Sequence, residues 1–267
     1  MSFVLQRGAS PLLVSMPHVG VEFPADLRSR YVPRALDAED ADWHLPRLYD
    51  WVSSLGATIL HARYSRYVID LNRPPDDAPM YPGASNTELC PTRFFNGEPL
   101  YRGGEEPGAQ EREHRKVQYW QPYHAALQGE IDRIRGEHGF VLLWDAHSIR
   151  SEIPWLFDGV LPGLNIGTAG GASADAAITQ AVADAAARRV DDVSHAVNGR
   201  FKGGYITRHY GDPAHHVHAV QLEMCQKLYM SEQAPYGYDE ARAAAIRPVL
   251  EDMVSAAVRA CKALYAR

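Results

Sequence analysis

Short apolar runs separated by longer amphipathic stretches set the pattern of this chain. The runs lie at 11–17 (PLLVSMP), 57–63 (ATILHAR), 67–71 (YVIDL), 140–145 (FVLLWD), 192–197 (DVSHAV) and 217–224 (VHAVQLEM). Their length and their β-branched and aromatic content predict strands. Between them, LPRLYDWVSSLG ending at Gly56, about 110–135 closed by Gly136, SADAAITQAVADAAARR opening on Ser173, and about 238–265 read as helices. Strands alternating with helices predict an α/β layer architecture. The run at 140–145 has no polar face, as expected of a strand covered on both sides. It then gives way abruptly to polar residues, and open α/β sheets bind ligands beyond the carboxyl ends of such strands.

Two stretches break the alternation. Residues 73–108 are rich in Pro and Gly and too long for a neutral connector, which predicts a structured loop over a site. Residues 198–216 (NGRFKGGYITRHYGDPAHH) are glycine-rich and basic, including Lys202. No repeat or linker divides the chain, so a single domain over 1–267 is expected.

Composition narrows the class. With 46% hydrophobic and 22% charged residues the chain can build one substantial core. Cys90, Cys225 and Cys261 are far apart, so neither a disulfide framework nor a thiolate metal cage is expected, and a cytoplasmic setting fits. No export signal and no membrane span are expected either. A net charge of -6 argues against a nucleic-acid surface. A small anionic substrate would need arginines clustered against that average field.

The candidate chemistry lies at strand ends. His18 in SMPHVGVEFP follows a strand, and Pro17 and Gly20 favour an extended turn from which an imidazole can project. Asp37, Glu39, Asp40 and Asp42 precede a helix; some serve its N-terminus, but they are more than one cap needs. His147 closes the strand at 140–145. Two histidines and a carboxylate are the usual ligands of a catalytic zinc that keeps a position for water. Asp145, two residues before His147, is placed to orient it. Asp70, Asn72 and Arg73 end the run at 67–71, and an arginine fork suits a carboxylate. The stretch NGRFKGG lacks the GK[ST] ending of a phosphate loop, so nucleotide binding is not expected. His209, His215, His216 and His218 read as loop and strand histidines rather than a second metal site. Ser148 adjoins His147 but points to the opposite face of a strand, which argues against a nucleophile and base pair.

DLNR downstream of a strand-end histidine resembles the zinc carboxypeptidases and the aspartoacylase and succinylglutamate desuccinylase group, in which Asn-Arg grips a substrate carboxylate. The larger set PHVG, DADWHLPRLY, SRYVIDLNRP, WDAHSIRS, NGRFKGGYITRHYG and HAVQLEM resembles the N-formylglutamate amidohydrolase family of histidine breakdown, from about residue 10 to residue 231. That resemblance implies a three-layer αβα sandwich with a mixed, mostly parallel sheet, as in zinc exopeptidases. It also implies metal-dependent hydrolysis of N-formyl-L-glutamate to formate and L-glutamate, with one divalent metal, zinc before manganese, iron or cobalt.

By the same resemblance His18 and His147 match metal ligands, and Asp42 matches the third. Glu22 is the alternative, because the carboxypeptidase-like pattern places a glutamate where this chain has Val21. Glu223 matches the strand-borne general base, and a lone acid among apolar neighbours costs several kcal/mol to bury. Arg66 is assigned to the oxyanion. Asn72 and Arg73 would hold one substrate carboxylate, and Arg150, Arg200 and Arg208 are candidates for the other. Two other readings stay open: a zinc amidohydrolase for another N-acyl amino acid, and a non-catalytic binder of acidic amino acids, which would hold no metal.

Overall fold

The computed structural model describes residues 1–80, 86–188 and 193–266. Seven strands form one sheet: β1 (Phe3–Gln6), β2 (Leu12–Met16), β3 (Thr58–Ala62), β4 (Val141–Ile149), β5 (Leu164–Gly167), β6 (His195–Val197) and β7 (Val217–Cys225). Their order is β1-β3-β2-β4-β7-β5-β6. The pairs β3/β2, β2/β4, β4/β7 and β5/β6 are parallel, and β1/β3 and β7/β5 are antiparallel. The sheet is therefore mixed and mostly parallel. The helices are α1 (Leu45–Leu48), α2 (Ala109–Arg115), α3 (Gln121–His138), α4 (Ala176–Arg188), α5 (Tyr205–Tyr210) and α6 (Glu240–Leu264). Among the described residues no helix is long and apolar enough to cross a membrane.

Alternation along the central strands sorts their side chains into two cores. Leu142, Trp144 and Ala146 of β4 pack with residues of α1, α4 and α6, while Val141 and Leu143 pack with Tyr123, Leu127, Ile131 and Ile134 of α3. Helices on both faces make a three-layer αβα sandwich. They also explain why all nine residues of β4 are buried. A fully buried side chain of this size contributes about 1.5–3 kcal/mol.

The elements differ from the sequence reading in ways that have local causes. The strand at 140–145 runs on to Ile149, so His147 belongs to the ladder rather than lying beyond it. Residues 67–71 form turns, not a strand. Val68 N donates to Ser65 O, and the Asp70 carboxylate accepts from Asn72 N at 2.9 Å, so local bonds compete successfully with a ladder. The helix expected to end at Gly56 is α1 followed by a tighter turn over Asp50–Leu55. There Ser54 Oγ donates back to Trp51 O at 2.7 Å. The helix expected to close at Gly136 continues to His138, and a π-helical segment (Lys116–Trp120) joins it to α2. Strands β1 and β5, four residues each, and the short helix α5 inside 198–216 were not expected. Of the strand expected at 192–197, residue 192 lies outside the described residues, as does the end of the helix opening on Ser173.

His124 on α3 ties that helix to the turn at 67–73. Its Nε2 donates to Leu71 O at 2.9 Å, and Tyr210 Oη lies 2.8 Å from its Nδ1. A carbonyl only accepts, so the neutral tautomer carries its proton on Nε2 and takes the Tyr210 proton on Nδ1. Burial pushes its pKa down to about 3. Because the folded value lies below the unfolded one, the stability this group confers is present above about pH 6.5 and is lost as pH falls toward 3. Urea unfolding between pH 6.5 and 4 should show the native protein losing stability faster than His124→Gln, by up to about 1.4 kcal/mol per pH unit. Parallel curves for the two proteins would exclude this assignment.

Candidate active site

The face of β4 that carries Val141 and Leu143 continues with Asp145 and His147, and that of β7 with Gln221 and Glu223. The parallel register pairs Asp145 with Gln221 and His147 with Glu223. Neighbouring strands lie roughly 4.8 Å apart, so the ladder itself sets imidazole beside carboxylate. His18 reaches the same place from the turn after β2. Asp42 is fixed to it through the backbone, its N–H donating to His18 O at 2.9 Å. Gly20 is required by this turn, because a Cβ there would meet Tyr64 O at 2.2 Å.

His18, Asp42 and His147 present ligand atoms within 4.8 Å of one another, and all three residues are buried. The two Nδ1 atoms are 3.2 Å apart, and Asp42 Oδ2 is 3.2 Å from that of His147 and 3.8 Å from that of His18. The far nitrogens are committed: His18 Nε2 lies 2.7 Å from Asp70 Oδ1, and His147 Nε2 lies 3.1 Å from Asp145 Oδ2. A carboxylate can only accept, so His18 Nε2 carries its ring's proton and the neutral ring turns its Nδ1 lone pair inward; His147 Nε2 also has Asn72 Nδ2 at 3.1 Å. The two Nδ1 atoms and a carboxylate oxygen thus converge, and among the described residues Asp42 Oδ1 is buried with no hydrogen-bond partner. Such a donor set fits a divalent cation. The carboxylates beyond the rings are the outer partners that orient ligating histidines.

The titration of the cluster without a cation tells the same story. Burial opposes charge on His147, but the carboxylates of Asp145 and Asp42 outweigh it and hold this imidazole well above its ordinary range. A proton then stands where the cation fits. His18 moves down, first by burial and then by the Arg66 guanidinium. Burial also opposes ionisation of Asp70, yet His18 and Arg66 together hold it well below the usual carboxylate range. Glu223 has no such support, and burial raises it to about 8 although His147 pulls the other way.

Around the cluster is a cavity of about 80 Å³. At roughly 10–15 Å³ per water centre it has room for a handful of waters or one small ligand. Arg66, Asn72, Arg73, Arg200 and Glu223 all line it. Arg66 donates to Asp70 Oδ2 at 2.7 Å and lies over the Phe95 ring. Asn72 Oδ1 accepts from Ile206 N at 2.8 Å, which turns its NH2 toward His147. Gly204 makes this approach possible, since a Cβ there would fall 2.3 Å from Asn72 Nδ2.

Three residues singled out from sequence lie elsewhere. Glu22 is half exposed and paired with Arg63 at 2.9 Å, so it is not part of the cluster. Arg150 does not line the cavity; it donates to the buried carboxylate of Asp40 at 2.6 Å. Arg208 also lies outside the lining, donating to Gly203 O at 2.8 Å. Ser148 turns its hydroxyl to Tyr229 Oη at 2.7 Å, away from a role beside His147. Conversely, the sequence reading gave no part to Asp70 as the partner of His18, to Phe95, or to Gln221. Counting back two residues from Glu223 along the strand would have placed Gln221 on the same face.

Fold and site together define a class: a three-layer α/β protein with a buried His-Asp-His cluster and a buried glutamate at the ends of its central strands. Within that class the chain belongs to the N-formylglutamate amidohydrolase family, whose model matches residues 10–230. It is 50% identical over 250 residues to an N-formylglutamate deformylase of Pseudomonas putida, covering 94% of this chain and 93% of the relative. Identity is also 50%, over 254 residues, to that of Pseudomonas aeruginosa, covering 94% and 95%. The crystal structure of N-formylglutamate amidohydrolase from Ralstonia eutropha JMP134 shares the fold at 24% identity and a TM-score of 0.81, over 99% of this chain and 98% of that one.

Proposed function

We propose that this protein hydrolyses N-formyl-L-glutamate to formate and L-glutamate with the help of one divalent cation, zinc by its donor set. The observation that carries the metal is the convergence of His18 Nδ1, His147 Nδ1 and Asp42 Oδ2 within 3.8 Å of one another. The substrate is supported by half identity to two N-formylglutamate deformylases along nearly the whole chain. A cation held there supplies Lewis acidity toward the formyl oxygen and toward water.

The rest falls to the protein's own groups. Glu223 takes a proton from the attacking water and returns it to the amide nitrogen as the C–N bond breaks, so formate and a free amine leave. Arg66, held by Asp70 and braced on Phe95, donates to the oxygen that gains charge as water adds to the formyl carbon. Arg73 and Arg200, with Asn72 between the metal cluster and α5, supply the cationic and polar grip for the two substrate carboxylates. Incubation with N-formyl-L-glutamate should release formate and glutamate in equal amounts. Release from N-acetylglutamate but not from the formyl compound would transfer the assignment to another acyl group.

A further inference from the structure

β7 offers the cavity two side chains of the same length, Gln221 and Glu223, two residues apart on one face. Gln221 is 3% exposed. Its Oε1 accepts from Gly204 N–H at 2.7 Å, which fixes the amide, since an NH2 turned to that donor would lose the bond. Its Nε2 therefore faces away from Gly204, and among the described residues no protein group accepts from it. The space it borders is the substrate cavity.

The strand spacing gives this donor a partner. Two residues along a strand span roughly 6.6 Å. In an N-acylglutamate five bonds separate the acyl carbon from the side-chain carboxylate carbon, about 6 Å when extended; in an N-acylaspartate four bonds give about 5 Å. Building on the activity proposed above, the geometry points to Gln221 as the residue that receives the substrate's side-chain carboxylate while Glu223 faces the scissile bond. β7 then measures glutamate against aspartate. Arg73 and Arg200 supply the charge in the same cavity, and the neutral amide supplies direction and length.

The test compares N-formylglutamate with N-formylnorvaline, whose side chain lacks the carboxylate, on the metal-loaded full chain. Gln221→Glu keeps an acceptor for Gly204 N–H but replaces the donor with a negative charge. It should lower kcat/KM for N-formylglutamate by about 100-fold, mainly through KM, and for N-formylnorvaline by less than about 3-fold. Gln221→Met, which removes the donor together with the acceptor for Gly204 N–H but adds no charge, should cost N-formylglutamate about 10-fold more than N-formylnorvaline, and it carries the test if the glutamate variant does not fold. Equal losses on both substrates, or none, overturn the assignment. Calorimetric binding of L-glutamate and L-norvaline to the same proteins reads the preference without turnover. Failure of the hydrolytic reading and failure of this inference are thereby separated.

Discussion

Glu223→Gln should retain its cation and lose about 10²–10⁴-fold in kcat, the range a positioned general base contributes. The amide matches the carboxylate in shape, and the cluster of His18, Asp42 and His147 does not include it. Only proton transfer is removed. A second consequence separates this from a structural defect. The native carboxyl titrates at about 8 in the metal-free fold, above the usual carboxylate range. A carboxyl raised on folding stabilises the fold fully below its unfolded value and loses that contribution as pH rises through the folded one. Metal-free native protein should therefore lose stability between about pH 4.5 and 8 from this group, and Glu223→Gln should not. Urea unfolding at several pH values checks the sign. Turnover that survives the substitution would place the base elsewhere.

Asp42→Asn should have an effect of comparable size through a different route. Asp42 is the one anionic member of the cluster, and its Oδ2 also accepts from Ser148 N at 3.2 Å. An amide retains the shape but withdraws the charge that offsets a divalent cation. Loss of a partner one layer further out already costs about 10–100-fold in metal affinity, so removal of this ligand should exceed about 100-fold. Competition with a chromophoric chelator measures it. Affinity within a few-fold of native would mean that the cation is held without Asp42.

The parts of the site that could be read from the chain were those fixed by local pattern. His147 follows an apolar run that has to be a buried strand, and Glu223 interrupts another, so each announces itself as a group that needs a reason to be there. The wide separation of His18, Asp42 and His147 was bridged by motif resemblance, not by spacing. What escaped was set by tertiary contacts. YVIDL has strand composition, but its burial is satisfied by turns in which Asp70 bonds Asn72 N, Arg66 and His18 at once. Arg150 and Arg208 carry the charge expected of a substrate clamp, yet neither lines the cavity, and Arg150 is paired with Asp40. No local signal distinguishes an arginine that faces a cavity from one that faces a buried aspartate. Strand β5 contains Asn165 and ends at Gly167, too short and too polar to register beside its neighbours.

The central claim is that two inward-turned Nδ1 atoms and Asp42 share a metal ion on which turnover depends. Metal analysis of the purified protein, with formate release from N-formyl-L-glutamate measured before chelation, after it and after zinc is returned, tests it most directly. The expected result is about one divalent ion per chain, activity abolished on its removal and recovered on its return. Full activity in a chain stripped of metal would contradict it.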